Sequence, residues 1–103
     1  MTEAESTPLE KLLNQISGRW TMYILWILDT KGALRFGELK REVDGISTKV
    51  LSERLRMLEA IGIVDRDYKQ TIPPQVTYKL NERGKELSKP LYDLCELASR
   101  WYD

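Results

Sequence analysis

A mainly α-helical fold carrying one small β-hairpin is what this sequence predicts, and three observations lead to it. Apolar residues recur at helical spacing from Leu9 to Val43 and again from Leu51 to Leu58. After Gly62 the period changes, so that Val76, Tyr78 and Leu80 alternate with polar neighbours as in a strand. Between the two patterns, two short amphipathic stretches flank the turn residues Asp44-Gly45.

The elements follow in order. Thr7-Pro8-Leu9-Glu10 reads as a helix start, with Thr7 as N-cap, Pro8 where no N–H is needed and Glu10 reaching back. The helix carries Leu9, Leu12, Leu13 and Ile16 and stops at Ser17-Gly18. A second helix, from Arg19 to Thr30, is apolar nearly all round and marks the centre of the core. Ala33 to Arg35 leaves room only for a brief strand before a helix beginning near Phe36, whose stripe is Phe36, Leu39 and Val43. Ser47 or Thr48 caps the next helix, which runs to Ile61 with Leu51, Leu55 and Leu58 inside. Ile63–Tyr68 and Gln75–Leu80 are the strands of a hairpin with its tip at Lys69–Pro74. Asn81 caps a last helix, which Pro90 must kink or restart. Two helices around a Gly-containing turn, followed by a hairpin, make a winged helix-turn-helix. The expected layout is one domain over 1–103: helix-turn-helix at 36–61, wing at 63–80, and helices at 8–17 and 82–102 that serve dimerisation.

Composition narrows the function. The chain has 103 residues and no histidine, which removes the commonest general base and the commonest metal ligand. A single cysteine, Cys95, allows neither an internal disulfide nor a thiolate cluster, and no Gly-rich phosphate loop is present. The sequence therefore predicts no enzyme and no cofactor. No apolar run is long enough to cross a bilayer and Met1–Thr7 has no signal-peptide character, so a cytoplasmic protein without membrane contact is expected. Sixteen Lys and Arg balance 16 Asp and Glu, so any nucleic-acid contact must rest on local charge. Lys40 to Arg56 holds five basic residues against three acidic ones, while Glu3, Glu5, Asp93, Glu96 and Asp103 carry acid elsewhere.

Several short motifs occur together: Ile16-Ser-Gly-Arg-Trp-Thr21, Arg35-Phe-Gly-Glu-Leu39, Gly45-Ile-Ser47, Leu51-Ser-Glu-Arg-Leu-Arg56 and Pro73-Pro-Gln-Val-Thr-Tyr78. In this order and spacing, from Thr7 to the C-terminus, the chain resembles the HxlR-type regulators. The resemblance implies a bacterial, dimeric winged-helix transcription regulator broadly related to the MarR type. Members of that family often carry a cysteine just before the proline of the first helix, an oxidant or electrophile sensor in some of them. Thr7 stands there in this chain, so that switch is not carried over.

A recognition helix reads the major groove with the polar residues near its start and on its outward face. Here those are Ser47, Thr48, Lys49, Ser52 and Arg56, with Glu53 beside them; Arg54 sits between faces, able to reach a phosphate or to pair with Glu38 or Glu42. In isolation this would be an ordinary solvated face, but behind a helix-turn-helix and before a wing it points to DNA. The wing offers Arg66, Tyr68, Lys69, Gln70 and Thr71, suited to backbone or minor-groove contact or, equally, to solvent. The partner expected is double-stranded DNA bearing a pseudo-palindromic operator.

Leu87, Leu91, Leu94, Ala98 and Trp101, widened by Cys95 and Tyr102, form a stripe broader than one small domain needs, and with Leu9 and Leu12 it is assigned to a homodimer interface. Packing against the chain's own first two helices is the alternative. Trp20, Tyr23, Trp26, Trp101 and Tyr102 could line a pocket for a small-molecule effector, although aromatics at helical spacing are more often core. Cys95 is either inert packing or an intersubunit disulfide partner. The rival function is a winged-helix protein-interaction module without sequence-specific DNA binding.

Overall fold

The computed structural model describes residues 7–103, so Glu3 and Glu5 lie outside it. Helix α1 (Pro8–Ile16) begins at the capping box read from the sequence: the Glu10 N–H donates to Thr7 Oγ1 at 3.1 Å, and the Thr7 N–H donates to Glu10 Oε1 at 2.9 Å. Helix α2 (Thr21–Lys31) buries Ile24, Leu25, Ile27 and Leu28, as expected of an element apolar on most sides. Thr21, at its first turn, is also buried, and its hydroxyl has no hydrogen-bond partner among the described residues.

Strand β1 (Leu34–Arg35) is brief and runs straight into α3 (Phe36–Glu42), with the Arg35 N–H donating to Glu38 Oε1 at 2.8 Å. Helix α4 (Thr48–Ala60) follows, then β2 (Val64–Lys69) and β3 (Gln75–Leu80). β3 is the middle strand of a three-stranded antiparallel sheet in the order β1-β3-β2. The hairpin therefore gains a third strand, with Leu34 opposite Tyr78 and Arg35 opposite Thr77, which anchors the wing on the helix-turn-helix.

One core serves all these elements. Ile24, Leu25, Leu39, Val43, Leu51, Leu55, Leu58 and Val64 are each 2% exposed or less, and α2 runs through their midst. At about 1.5–3 kcal/mol for each fully buried aliphatic side chain, this cluster is the main source of the fold's stability.

The last segment departs from expectation. Asn81 is not the N-cap of a helix: its side chain accepts from the Gly84 N–H at 2.9 Å, just ahead of a single 3₁₀ turn, Gly84–Leu87, whose N-cap is Arg83. Helix α5 (Ser88–Tyr102) starts only there, and Pro90 occupies its first turn, where a missing N–H costs no bond. The turn is held by long-range contacts. Asn81 Nδ2 donates to Gly62 O at 3.0 Å and to Asp65 Oδ1 at 3.1 Å, and Arg83 Nη1 donates to Ile61 O at 2.7 Å. A Cβ on Gly84 would lie 2.2 Å from the Ile63 carbonyl oxygen, so only glycine allows this approach. These bonds tie the end of α4, the start of β2 and the entry to α5 together. At the other side of the entry, the Ser88 hydroxyl donates to Asp29 of α2.

Candidate nucleic-acid interface

The turn between α3 and α4 is tight because three residues do different jobs. Gly45 adopts φ +88°, a left-handed conformation that costs glycine nothing, with the Trp20 ring 3.5 Å from where its Cβ would be. Ile46 plugs into the core at 3% exposure. Ser47, not Thr48, is the N-cap of α4, its Oγ accepting from the Val50 N–H at 3.1 Å. The Ser47 oxygen is therefore engaged, while its hydroxyl proton stays free to donate outward. Trp20 is in turn covered by Arg19, whose guanidinium stands 4.6 Å from the ring centre.

Leu51, Leu55 and Leu58 anchor α4 in the core, so the opposite face is turned outward. Thr48, Lys49, Glu53 and Arg56 are exposed there and Ser52 is half-buried. Among the described residues none of these five makes a side-chain hydrogen bond or ion pair. Arg54 is half-buried on the flank and pairs with neither carboxylate proposed for it: Glu42 is bound to Lys31 at 3.2 Å, and Glu38 accepts from the Arg35 N–H. Lys40 and Arg41 are both exposed on α3.

On the wing, cross-strand register sorts the side chains. Val64, Arg66 and Tyr68 share one face with their partners Leu80, Tyr78 and Val76, while Asp65, Asp67 and Lys69 share the other with Lys79, Thr77 and Gln75. Arg66 and Tyr68 are thus separated from both aspartates, but Lys69 falls on the aspartate side. Gln70 and Thr71 belong to the exposed tip. Arg66 and Lys69, grouped together by sequence reasoning, consequently point to opposite sides of the hairpin.

The residues assigned to dimerisation also divide. Leu91 is 5% exposed and belongs to the chain's own core, and Leu87 is half-buried against it, so the chain itself covers part of this stripe. Leu94 (48%), Ala98 and Trp101 (67%) lie exposed on α5, as do Leu9 (63%) and Leu12 (40%) on α1. Leu97, which the sequence reading overlooked, is half-buried beside them. The opposite face of α5 is polar and paired with itself, Lys89 to Asp93 at 3.0 Å and the Tyr92 hydroxyl to Glu96 at 3.0 Å. That hydrogen bond, with the charge of Glu96, raises the Tyr92 hydroxyl above its ordinary pKa.

Trp20 and Trp26 pack against the core, whereas Tyr23 is 46% exposed and stacks on Trp26 with centroids 5.7 Å apart. An open apolar groove of about 250 Å³ runs between α2 and α5, lined by Met22, Tyr23, Trp26, Leu94, Cys95 and Ala98 among others. Cys95 is half-buried in it.

Two helices around a glycine turn, the second with a free polar outer face and followed by an anchored hairpin, define a winged helix-turn-helix protein. Comparison with known proteins gives the family. The model of the HxlR-like helix-turn-helix matches residues 15–103, and the chain belongs to that family. It is 39% identical over 92 residues to an HTH-type transcriptional regulator of Halalkalibacterium halodurans, covering 89% of this chain and 81% of the relative. It is 36% identical over 104 residues to the HTH-type transcriptional regulator YvaP of Bacillus subtilis, covering 100% and 95%. Among solved structures, the redox regulator HypR in its reduced form superposes with a TM-score of 0.87 at 33% identity, over 94% of this chain and 95% of that one. Among the described residues no helix is long and apolar enough to cross a membrane.

Proposed function

We propose that this chain is a DNA-binding transcription regulator of the cytoplasm, not an enzyme, acting as a homodimer with α4 in the major groove and the hairpin along the flanking backbone or minor groove. The observation that carries the reading is the outer face of α4: Thr48, Lys49, Glu53 and Arg56 project from a helix fixed by its buried leucines and have no partner in the described chain. Lys49 and Arg56 can donate to phosphate or guanine, and Thr48 and Ser52 to either kind of acceptor. The N-terminus of α4 adds its own partial positive charge at the same end.

The dimer is supported by the apolar surface left open on α1 and α5. Of the apolar side chains of α1 only Ile16 is buried, and the radius of gyration, 15.0 Å, exceeds the roughly 13 Å of a compact domain this long. Two-fold symmetry must then set two copies of α4 about 34–36 Å apart, one turn of DNA, to face a pseudo-palindromic site. The groove between α2 and α5 is where a small-molecule effector would bind, if the dimer leaves it open.

Fluorescence anisotropy against a pool of promoter fragments, in a salt series, tests this reading. Saturable, sequence-selective binding is expected. In Lys49→Ala/Arg56→Ala it should be lost, or weakened with the log–log salt slope reduced by up to about 3 to 4 for the dimer. Binding no stronger than non-specific by the wild-type chain contradicts the reading and favours a protein-interaction module.

A further inference from the structure

The tip of the hairpin carries a residue that neither the fold nor the α4 face accounts for. Ile72 is fully exposed at 102%, the most exposed large apolar side chain among the described residues. Hairpin tips ordinarily carry Gly, Asn, Asp or Ser, and an isoleucine there adds nothing to the core. It is also firmly presented. The Thr71 hydroxyl donates to Pro73 O at 2.7 Å, the Thr71 N–H donates to Lys69 O at 2.9 Å, and Pro73 and Pro74 restrict the backbone behind it. The two six-residue strands hold this tip about 20 Å beyond their base.

Charge gives the second observation. In a chain of zero net charge, the segment from Tyr68 to Asn81 contains Lys69 and Lys79 and no carboxylate. Asp65 and Asp67 lie lower on β2, so the tip itself is an apolar point beside a cation with no carboxylate from Tyr68 to Asn81, which suits the DNA minor groove, whose walls are sugar C–H faces between rows of phosphates. A protein partner would be met by the same isoleucine but would gain nothing from the missing carboxylates.

We infer that Ile72 is a specificity-determining wedge: it enters the minor groove flanking the α4 contact and seats against a base step while Lys69 engages the adjacent phosphate. The inference rests on the DNA-binding reading and deepens it. Apolar wedges favour steps that unstack readily, TA and CA above all, so Ile72 confers a flank preference without a hydrogen bond to any base.

The test uses the full-length protein and the tightest-binding promoter fragment, with TA or CA steps in its flanks kept or replaced by AA. Ile72→Ser should weaken binding about tenfold, with the salt slope unchanged and the flank preference flattened. Ile72→Leu should restore affinity to within about threefold. Lys69→Ala should instead lower the slope by about 2 per dimer. Because Ile72 touches no core residue, an unchanged thermal midpoint is expected for both Ile72 variants. Wild-type-like affinity in Ile72→Ser, an unaltered flank preference, or a changed association state without DNA would overturn the inference while leaving DNA binding intact. Failure of the wild-type chain to bind any fragment would be a different result, overturning the DNA-binding reading and the wedge with it.

Discussion

The centre of this protein and its two ends treat leucine differently. In α2, α3 and α4, Leu25, Leu39, Leu51 and Leu58 are fully buried, whereas Leu9, Leu12 and Leu13 of α1 and Leu94 of α5 are 40–63% exposed. The residue type is the same and the helical spacing is equally regular. The difference is that the central helices face each other and the sheet, while α1 reaches the core through Ile16 and leaves its other apolar side chains, like the outer side of α5, uncovered by the described residues. A stripe read from sequence shows that a helix has an apolar side; it does not say which molecule covers it.

Substitutions can break that contrast, and the largest effect belongs to the centre. Leu51→Ala should cost about 3–4 kcal/mol, measured by urea denaturation, and the loss should not depend on protein concentration. Gly84→Ala, which drives a methyl group into the Ile63 carbonyl, should cost about 2–3 kcal/mol in the same assay. Leu94→Asp belongs to the other class. It should leave the helical circular dichroism signal intact and raise the dimer dissociation constant about 100-fold, seen by analytical ultracentrifugation as monomer at micromolar concentration. Concentration-dependent melting should disappear with it. If Leu94→Asp unfolds the chain instead, α5 is held by its own core more than its exposure indicates. The smallest effect is at Thr21, where replacing the unpartnered hydroxyl by a methyl in Thr21→Val should stabilise the fold by about 1 kcal/mol in thermal unfolding.

Local chemistry made much of this fold legible. The Thr7–Glu10 capping box, Gly45 in the turn, the Ser47 cap and the alternation of β3 are signals contained within a few residues, and each element forms where they indicate. The segment after Asn81 was legible only in part. Pro90 announced a break, but the turn at Gly84–Leu87 depends on Gly62, Ile63 and Asp65, some twenty residues earlier, and no local pattern encodes that contact. The same limit applies to the candidate site. The α4 face followed from helical spacing, whereas the burial of Leu91 and the full exposure of Ile72 depend on tertiary packing, and the separation of Lys69 from Arg66 on β2 running one residue past its expected end at Tyr68.

Hydroxyl-radical footprinting of the wild-type protein on a selected promoter fragment tests the central claim most directly, since it reads DNA contact and two-fold geometry together. Two protected stretches on one face of the duplex, centred about 10 base pairs apart and related by an approximate palindrome, are the result this account predicts. A single protected patch, or uniform weak protection with no register, would contradict it.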